Sequence, residues 1–180
     1  MNFPNHGKKA TQAVARLIEK SGGPIDYLRA SKLIYLADRQ SILKRGVPIV
    51  GGRYFSMRQG PVISEVMDFV KSQNAPEWKS TISPRHGHEL RLVCTPSTRA
   101  LSQAELVILD SVVTEHAQRT TEELVEWCHK NCPEYEPVSG SGRKPITVES
   151  ILKAVGKTQK QIRKVVDEAL EIQELNAMLA

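Results

Sequence analysis

The chain lacks the features of exported and membrane proteins. Its three cysteines, Cys94, Cys128 and Cys132, cannot all pair within one chain and follow no disulfide spacing. No apolar run approaches the roughly 20 residues that cross a bilayer, and the opening MNFPNHGKK lacks the apolar core of a signal peptide. We therefore expect a cytoplasmic protein with reduced thiols and no membrane contact.

Aromatic residues are also scarce, at 5%, and they do not alternate with basic residues as in RNA-recognition modules. The charge is unevenly distributed. Residues 1–58 carry eleven Lys and Arg against three Asp and Glu, whereas residues 59–136 carry seven against twelve. The basic residues 1–58 can pack against the acidic residues 59–136, or they can face an acidic partner or nucleic acid.

Apolar residues make up 40% of the 180 positions, enough for a folded core. Their spacing predicts a mainly α (α+β) fold: a helical domain with a small antiparallel sheet of about three strands. The helices are expected at 8–20, 26–45, from Gly60-Pro61 onward, at 102–118 and 121–131, after Thr147 and from Gln159. The strands are expected at 53–57, 78–82 and 89–94.

Helix-capping residues and one segment rich in Gly, Ser and Pro set the boundaries of the predicted elements. Ser102 with Glu105, and Thr120 with Glu123, have the spacing of capping boxes. The segment 137–145, PVSGSGRKP, is predicted to be a flexible loop. We expect one domain over residues 1–155 and a C-terminal helical extension over 156–180.

Asp38 interrupts the apolar face of the second predicted helix, one turn from both Ile34 and Ile42. A carboxylate at this position is expected to be desolvated and to need a cation or several hydrogen bonds. Arg53, Tyr54 and Arg58 are the expected partners. A structural polar network and a catalytic acid both fit the pattern, and the structural network is favoured because no second acid, His or Cys accompanies Asp38.

The stretch around Asp38 resembles the Panacea domain, also called the SocA-like antitoxin domain, of bacteria and their phages. The matching residues are Lys32, Leu33, Tyr35, Leu36, Ala37, Asp38, Gly46, Pro48, Ile49, Gly51, Tyr54, Met57, Gly60 and Pro61. A second block fits the same family and comprises the helix at 101–116 and the segment EELVEWCHKNCPEY. Together the matches span residues 10–155.

The resemblance implies an antitoxin that neutralises a cognate toxin by direct contact, in some members by presenting it to a cytosolic protease. We expect no cofactor and no enzymatic activity. The family-motif residues expected to form the structural network are Lys32, Tyr35, Asp38, Gly51, Arg53, Tyr54, Gly60 and Pro61. The residues expected to contact the partner are Arg39, Lys44, Arg45, Arg58, Ile172, Leu175 and Leu179.

The C-terminal segment supports an alternative function, a transcriptional regulator that binds operator DNA. Residues 147–170 resemble a helix-turn-helix, with Gly156 in the turn and Thr158 as the cap of the second helix. The residues expected to face DNA are Thr158, Gln159, Lys160, Arg163 and Lys164. Apolar residues from Ile162 onward also recur at coiled-coil spacing, so self-packing, a homodimer and a toxin groove all stay open.

Other chemical motifs are weak. Gly156-Lys157-Thr158 is not a phosphate loop, because Ile151 stands where that motif needs glycine. Zinc ligands of the right type occur at His86, His88, Cys128, His129 and Cys132, but not at a familiar spacing, so we expect no metal. No nucleophile and base lie at a recognisable spacing, which disfavours an enzyme.

Overall fold

The computed structural model describes residues 3–83 and 87–178, without the side chains of residues 172, 173 and 175–177. Along these residues the helices are α1 (Gly7–Lys20), α2 (Tyr27–Arg45), α3 (Ser64–Ser72), α4 (Trp78–Thr81), α5 (Gln103–Glu115), α6 (Thr121–Asn131), α7 (Val148–Ala154) and α8 (Gln159–Met178). The strands are β1 (Ile25–Asp26), β2 (Tyr54–Met57), β3 (Gly60–Ile63), β4 (Glu89–Leu90) and β5 (Lys144–Ile146). The predicted fold class, mainly helical α+β with small antiparallel sheets, is confirmed.

Helix α2 is the central element of the molecule. Its consecutive residues Leu33, Ile34 and Tyr35 are all fully buried. Successive side chains of an α-helix project about 100° apart, so burial of all three requires neighbours on every side. These neighbours are α1, α5, α6, α7 and β3. The Asp26 side chain caps the start of α2 by accepting a hydrogen bond from Leu28 N, and left-handed Gly46 ends the helix.

A three-stranded antiparallel sheet, ordered β3-β2-β5, packs beside α2. Strands β2 and β3 form a hairpin in which Tyr54 pairs with Ile63 and Met57 with Gly60. The prediction that Gly60-Pro61 opens a helix is therefore wrong, and α3 begins only at Ser64. The fixed φ of proline is compatible with an extended backbone, and β3 is an edge strand, where a missing N–H removes no ladder bond.

Two other sheet predictions are corrected. Residues 78–81 form helix α4 and not a strand, because Trp78 is anchored in the core against Phe69. Only residues 89–90 of the predicted strand at 89–94 form β4, which pairs with β1 in a separate two-stranded sheet. The third strand of the larger sheet is β5, within and just after the predicted 137–145 loop, because it pairs with β2.

The capping boxes predicted at Ser102 and Thr120 are confirmed, and they begin α5 and α6. A third box, formed by Thr147 and Ser150, begins α7. The final helix contributes Ile162 and Ala169 to the same apolar core as the rest of the chain. The division into residues 1–155 and 156–180 stays a prediction. Within residues 3–83 and 87–178, no helix has the length and apolar character needed to cross a membrane.

Candidate functional site

Asp38 holds the loop between α2 and β2 in place. Its side chain is fully buried, and Oδ1 accepts hydrogen bonds from Ile49 N at 2.8 Å and Val50 N at 2.9 Å. Its Oδ2 accepts hydrogen bonds from Gly51 N at 3.0 Å and from Tyr54 Oη at 2.9 Å. Four donors therefore surround one carboxylate, which ties the helix, the loop and the first hairpin strand together.

The electrostatics of Asp38 suit a structural role. Burial raises its pKa to about 6, while the four hydrogen bonds act in the opposite direction and keep the charged form accessible near neutral pH. Of the expected partners, Tyr54 bonds to Asp38, but Arg53 pairs instead with Glu65 at 2.8 Å. Arg58 lies in the exposed turn of the β2–β3 hairpin. Both carboxylate oxygens are occupied by donors and sealed from solvent, which leaves no position for a reacting group.

Gly51 is required where it donates to Asp38. Its φ is +66°, a left-handed conformation that other residues rarely adopt. A Cβ atom at this position would lie 2.6 Å from the carbonyl oxygen of Pro4. The glycine therefore allows the N-terminal segment to cross directly over the loop that Asp38 holds.

Lys32 is the second buried charged residue of α2. It is fully buried, and its Nζ donates a hydrogen bond to the carbonyl oxygen of Pro61 at 2.9 Å. Desolvation lowers its pKa to about 8, although the nearby thiols of Cys128 and Cys132 act in the opposite direction. The motif residues Lys32 and Pro61 are thus in direct contact, and this contact fixes the β3 strand to α2.

Lys32 also lines a cavity with a volume of about 680 Å³. We call it the Lys32 cavity. The start of α2 and the turn of the hairpin, with Arg58 and Gln59, form two of its walls. The segment 140–142 that precedes β5 forms another. A buried amine in the wall of a cavity is one of the features by which binding sites are recognised.

Glu134 forms a second buried network with α2. Its Oε1 accepts hydrogen bonds from Tyr35 Oη at 2.7 Å and Arg39 Nε at 2.6 Å. Arg39 Nη2 reaches the other carboxylate oxygen at 3.2 Å, so the guanidinium binds both oxygens. Because Glu134 follows α6, this network joins the end of α6 to the centre of α2.

The predicted partner-binding residues have different environments. Lys44, Arg45 and Arg58 are exposed, and Arg45 also pairs with Glu105 at 3.1 Å. Arg39, which is also expected to contact the partner, has only 14% of its side chain exposed and pairs with Glu134. The side chains of Ile172 and Leu175, and the whole of Leu179, lie outside the described residues.

The predicted DNA-binding residues lie at the start of α8. Thr158 caps this helix, since its hydroxyl accepts a hydrogen bond from Gln161 N at 3.3 Å. Gln159, Lys160, Arg163 and Lys164 are exposed, whereas Ile162 between them is buried. The helix therefore turns an apolar face inward and a polar, basic face outward.

The histidines and cysteines considered for zinc occupy separate positions. His88 stacks on Tyr27, and His129 stacks on Tyr135. Cys128 and Cys132 are buried and form no disulfide bond. His86 lies outside the described residues. Among the residues that are described, no three His, Cys, Asp or Glu side chains converge as a metal site would require.

Sequence reasoning missed the roles of Glu134 and of the 140–142 segment. Glu134 lies in the second block of the family resemblance, but Tyr35 and Arg39 precede it by 99 and 95 residues. No periodic pattern connects positions so far apart. Segment 140–142 has the composition of an ordinary loop, so its place in the cavity wall depends on the pairing of β5 with β2.

Comparison with known families gives one match. The family model described as antitoxin SocA-like, Panacea domain, matches residues 31–134. This span contains Lys32, Asp38 and the hairpin, and it ends at Glu134. Searches of curated proteins and of solved structures gave no significant match.

Proposed function

This chain belongs to the SocA-like, Panacea-domain antitoxin family, and from that premise we propose that it neutralises a cognate toxin by direct binding, without catalysis. The observation that carries the proposal is the family match over residues 31–134, more than half of the chain. We place this activity in the cytoplasm, in line with the three free cysteines.

The arrangement of charges supports a protein partner. The buried motif residues Lys32, Asp38 and Tyr35 are occupied with holding α2 to its neighbours. Lys44, Arg45 and Arg58, in contrast, present positive charge to solvent from the end of α2 and from the hairpin turn. Exposed positive charges steer an acidic partner and stabilise its bound orientation. We infer that these three residues contact acidic parts of the toxin, Lys44 and Arg45 at the end of α2 and Arg58 near its start.

The contributions of the two predicted parts follow from this proposal. Residues 1–155 bind the toxin, and residues 156–180 add a second contact through Ile172, Leu175 and Leu179. The same segment would pair two copies in a homodimer. In its more specific form, the proposal is that the chain presents the toxin to a cytosolic protease for degradation and does not only inhibit the toxin by binding it.

We expect growth arrest when the protein encoded next to this chain is expressed alone, and recovery when both are expressed. Replacing Lys44 and Arg58 together by Glu should reduce colony counts at least tenfold during toxin expression, because charge reversal repels an acidic partner. Lys153→Glu, an exposed charge change on α7, is the matched control and should leave recovery unchanged. Colony counts and co-purification of the two proteins measure the effect.

A harmless neighbour that does not co-purify would refute the antitoxin proposal. If the neighbouring protein is toxic and the double variant protects as well as the wild type, Lys44 and Arg58 do not contribute to toxin binding. The toxin level during co-expression separates the two finer mechanisms. A constant level indicates blocking, whereas a decline that stops when the protease is deleted indicates presentation for degradation.

A second candidate function, operator binding, is supported by the geometry of α7 and α8. The two helices pack on each other across the turn at Gly156, and the exposed side chains at the start of α8 are polar and basic. Such side chains can contact phosphates and base edges in a major groove. The two functions are compatible, because the family match ends at residue 134, before α7.

A gel shift on the DNA upstream of the coding region tests operator binding. If α8 is the reading helix, Lys160→Glu with Arg163→Glu should weaken binding at least tenfold and lower its salt dependence, because phosphate contacts are lost. Lys153→Glu serves again as the control. Unchanged binding by the double variant would exclude α8 as the DNA-contacting helix.

A further inference from the structure

The Lys32 cavity has the size of a small-molecule site. Its volume of about 680 Å³ lies within the roughly 300–1,000 Å³ typical of ligand pockets. Its walls come from five parts of the chain: α2, the β2–β3 hairpin, α3, α6 and the segment 140–142. Such a cavity is formed by the folded domain as a whole and not by a single loop.

The cavity carries positive charge without a matching negative charge. Lys32 and Arg58 line it, and none of its described lining residues is Asp or Glu. In the described part of the chain, neither of the two cations forms an ion pair. Other arginines of the domain do so with short contacts: Arg16 with Asp110, Arg39 with Glu134, and Arg53 with Glu65.

The lack of a counter-charge matters most for Lys32. An ammonium group can donate three hydrogen bonds, but among the described residues Lys32 Nζ has one acceptor, the Pro61 carbonyl oxygen. The thiols of Cys128 and Cys132 favour the charged form of Lys32, but its desolvation is the larger effect. Burial of a charged amine under these conditions is unfavourable unless another group compensates the charge. An anion in the adjacent cavity would supply that compensation.

The remaining walls of the cavity are suited to an apolar body. Leu28, Val62 and Val125 contribute branched aliphatic side chains, and Met57 and Met67 contribute flexible ones. Methionine adapts its shape to different apolar ligands. The cavity therefore combines an apolar surface with two positive charges, one at the exposed hairpin turn and one buried in α2.

From this arrangement we propose that the Lys32 cavity binds a small organic anion that carries an apolar body, of the class of medium-chain carboxylates. Arg58 contacts the charged group from the exposed hairpin turn, and the buried charge of Lys32 stabilises that group from within the wall. The site goes beyond the antitoxin activity and does not depend on it, because ligand binding can be measured on the purified chain alone.

A matched pair of fluorescent probes tests the charge requirement. The anionic probe is 1-anilinonaphthalene-8-sulfonate, and the neutral one is N-phenyl-1-naphthylamine, which has the same aromatic skeleton without the sulfonate. We expect the anionic probe to bind the full-length protein at one site, at least tenfold more tightly than the neutral probe. Octanoate should displace it, whereas octanol at the same concentration should not.

Two variants locate the site. Arg58→Gln and Lys32→Met should each weaken binding of the anionic probe at least tenfold, and Arg99→Gln, the same charge change at an exposed position before α5, should have no effect. Lys32→Met removes a buried charge and keeps the apolar volume, but it also removes the donor to the Pro61 carbonyl oxygen. The two effects oppose each other, so its melting temperature should stay close to that of the wild type. Loss of binding by a variant that is still folded at the assay temperature would identify a ligand-binding charge.

Three results would overturn the proposal: equal affinity for the two probes, displacement by octanol as effective as by octanoate, or unchanged binding by Arg58→Gln. Arg58 is exposed, so its variant folds independently of the outcome at Lys32 and decides the matter if Lys32→Met is unstable. None of these three results bears on neutralisation of the toxin, which is measured separately by growth, so failure of the cavity ligand leaves the antitoxin proposal intact.

Discussion

Asp38→Ala is expected to lower the free energy of unfolding by about 4 kcal/mol, because it leaves buried backbone N–H groups of Ile49, Val50 and Gly51 without an acceptor. The relief from burying a charge offsets only part of this loss. For a chain of 180 residues, the melting temperature should fall by about 8–16 °C. Urea unfolding and a thermal melt of the purified protein measure both quantities.

Tyr54→Phe is the graded control for this prediction. It removes one of the four donors and leaves the three backbone hydrogen bonds intact, so it should lower the free energy of unfolding by only about 1 kcal/mol. An Asp38→Ala protein with an unchanged melting temperature that no longer neutralised the toxin would contradict the structural role. Asp38 would then have to act on the partner directly.

The pH dependence of stability gives an independent test of the same carboxylate. Its folded-state pKa of about 6 lies above the reference value of 3.8, so the folded protein binds the proton more tightly than the unfolded chain. Stability due to Asp38 is therefore full below pH 4 and declines as the pH rises to about 6. Relative to Asp38→Asn, the wild type should lose up to about 3 kcal/mol across this window.

Glu134→Ala is expected to lower the free energy of unfolding by about 3 kcal/mol and the melting temperature by about 6–12 °C. The substitution removes the acceptor of the buried Tyr35 hydroxyl and the carboxylate partner of Arg39. A buried donor without a partner and a poorly hydrated guanidinium both disfavour the folded state. Denaturant unfolding at neutral pH measures the change.

Glu136→Ala provides the comparison, since Glu136 lies two residues further along and also pairs with a cation. Its contact with Lys144, at 2.9 Å, is largely exposed to solvent, so its loss should change the free energy of unfolding by less than about 1 kcal/mol. Equal effects of the two substitutions would show that the Tyr35–Glu134–Arg39 network does not hold α6 to α2.

The amino-acid sequence alone determined most of the helices. Capping residues act within one turn of themselves, so Asp26, Ser102 and Thr120 mark the helix starts that the structure has. The interruption of the apolar face of α2 at Asp38 indicated a buried carboxylate, which the structure has. The family was also evident from the order and spacing of the residues around Asp38.

Tertiary structure decided the strands and the buried partnerships. Gly60-Pro61 became a strand, residues 78–81 became a helix and residues 144–146 became a strand, because each is set by pairing or packing against another element. Arg53 and Arg39 bind Glu65 and Glu134 for the same reason. Helix signals operate within a few residues, whereas strand pairing, ion pairing and cavity walls exist only after the chain has brought separate segments together.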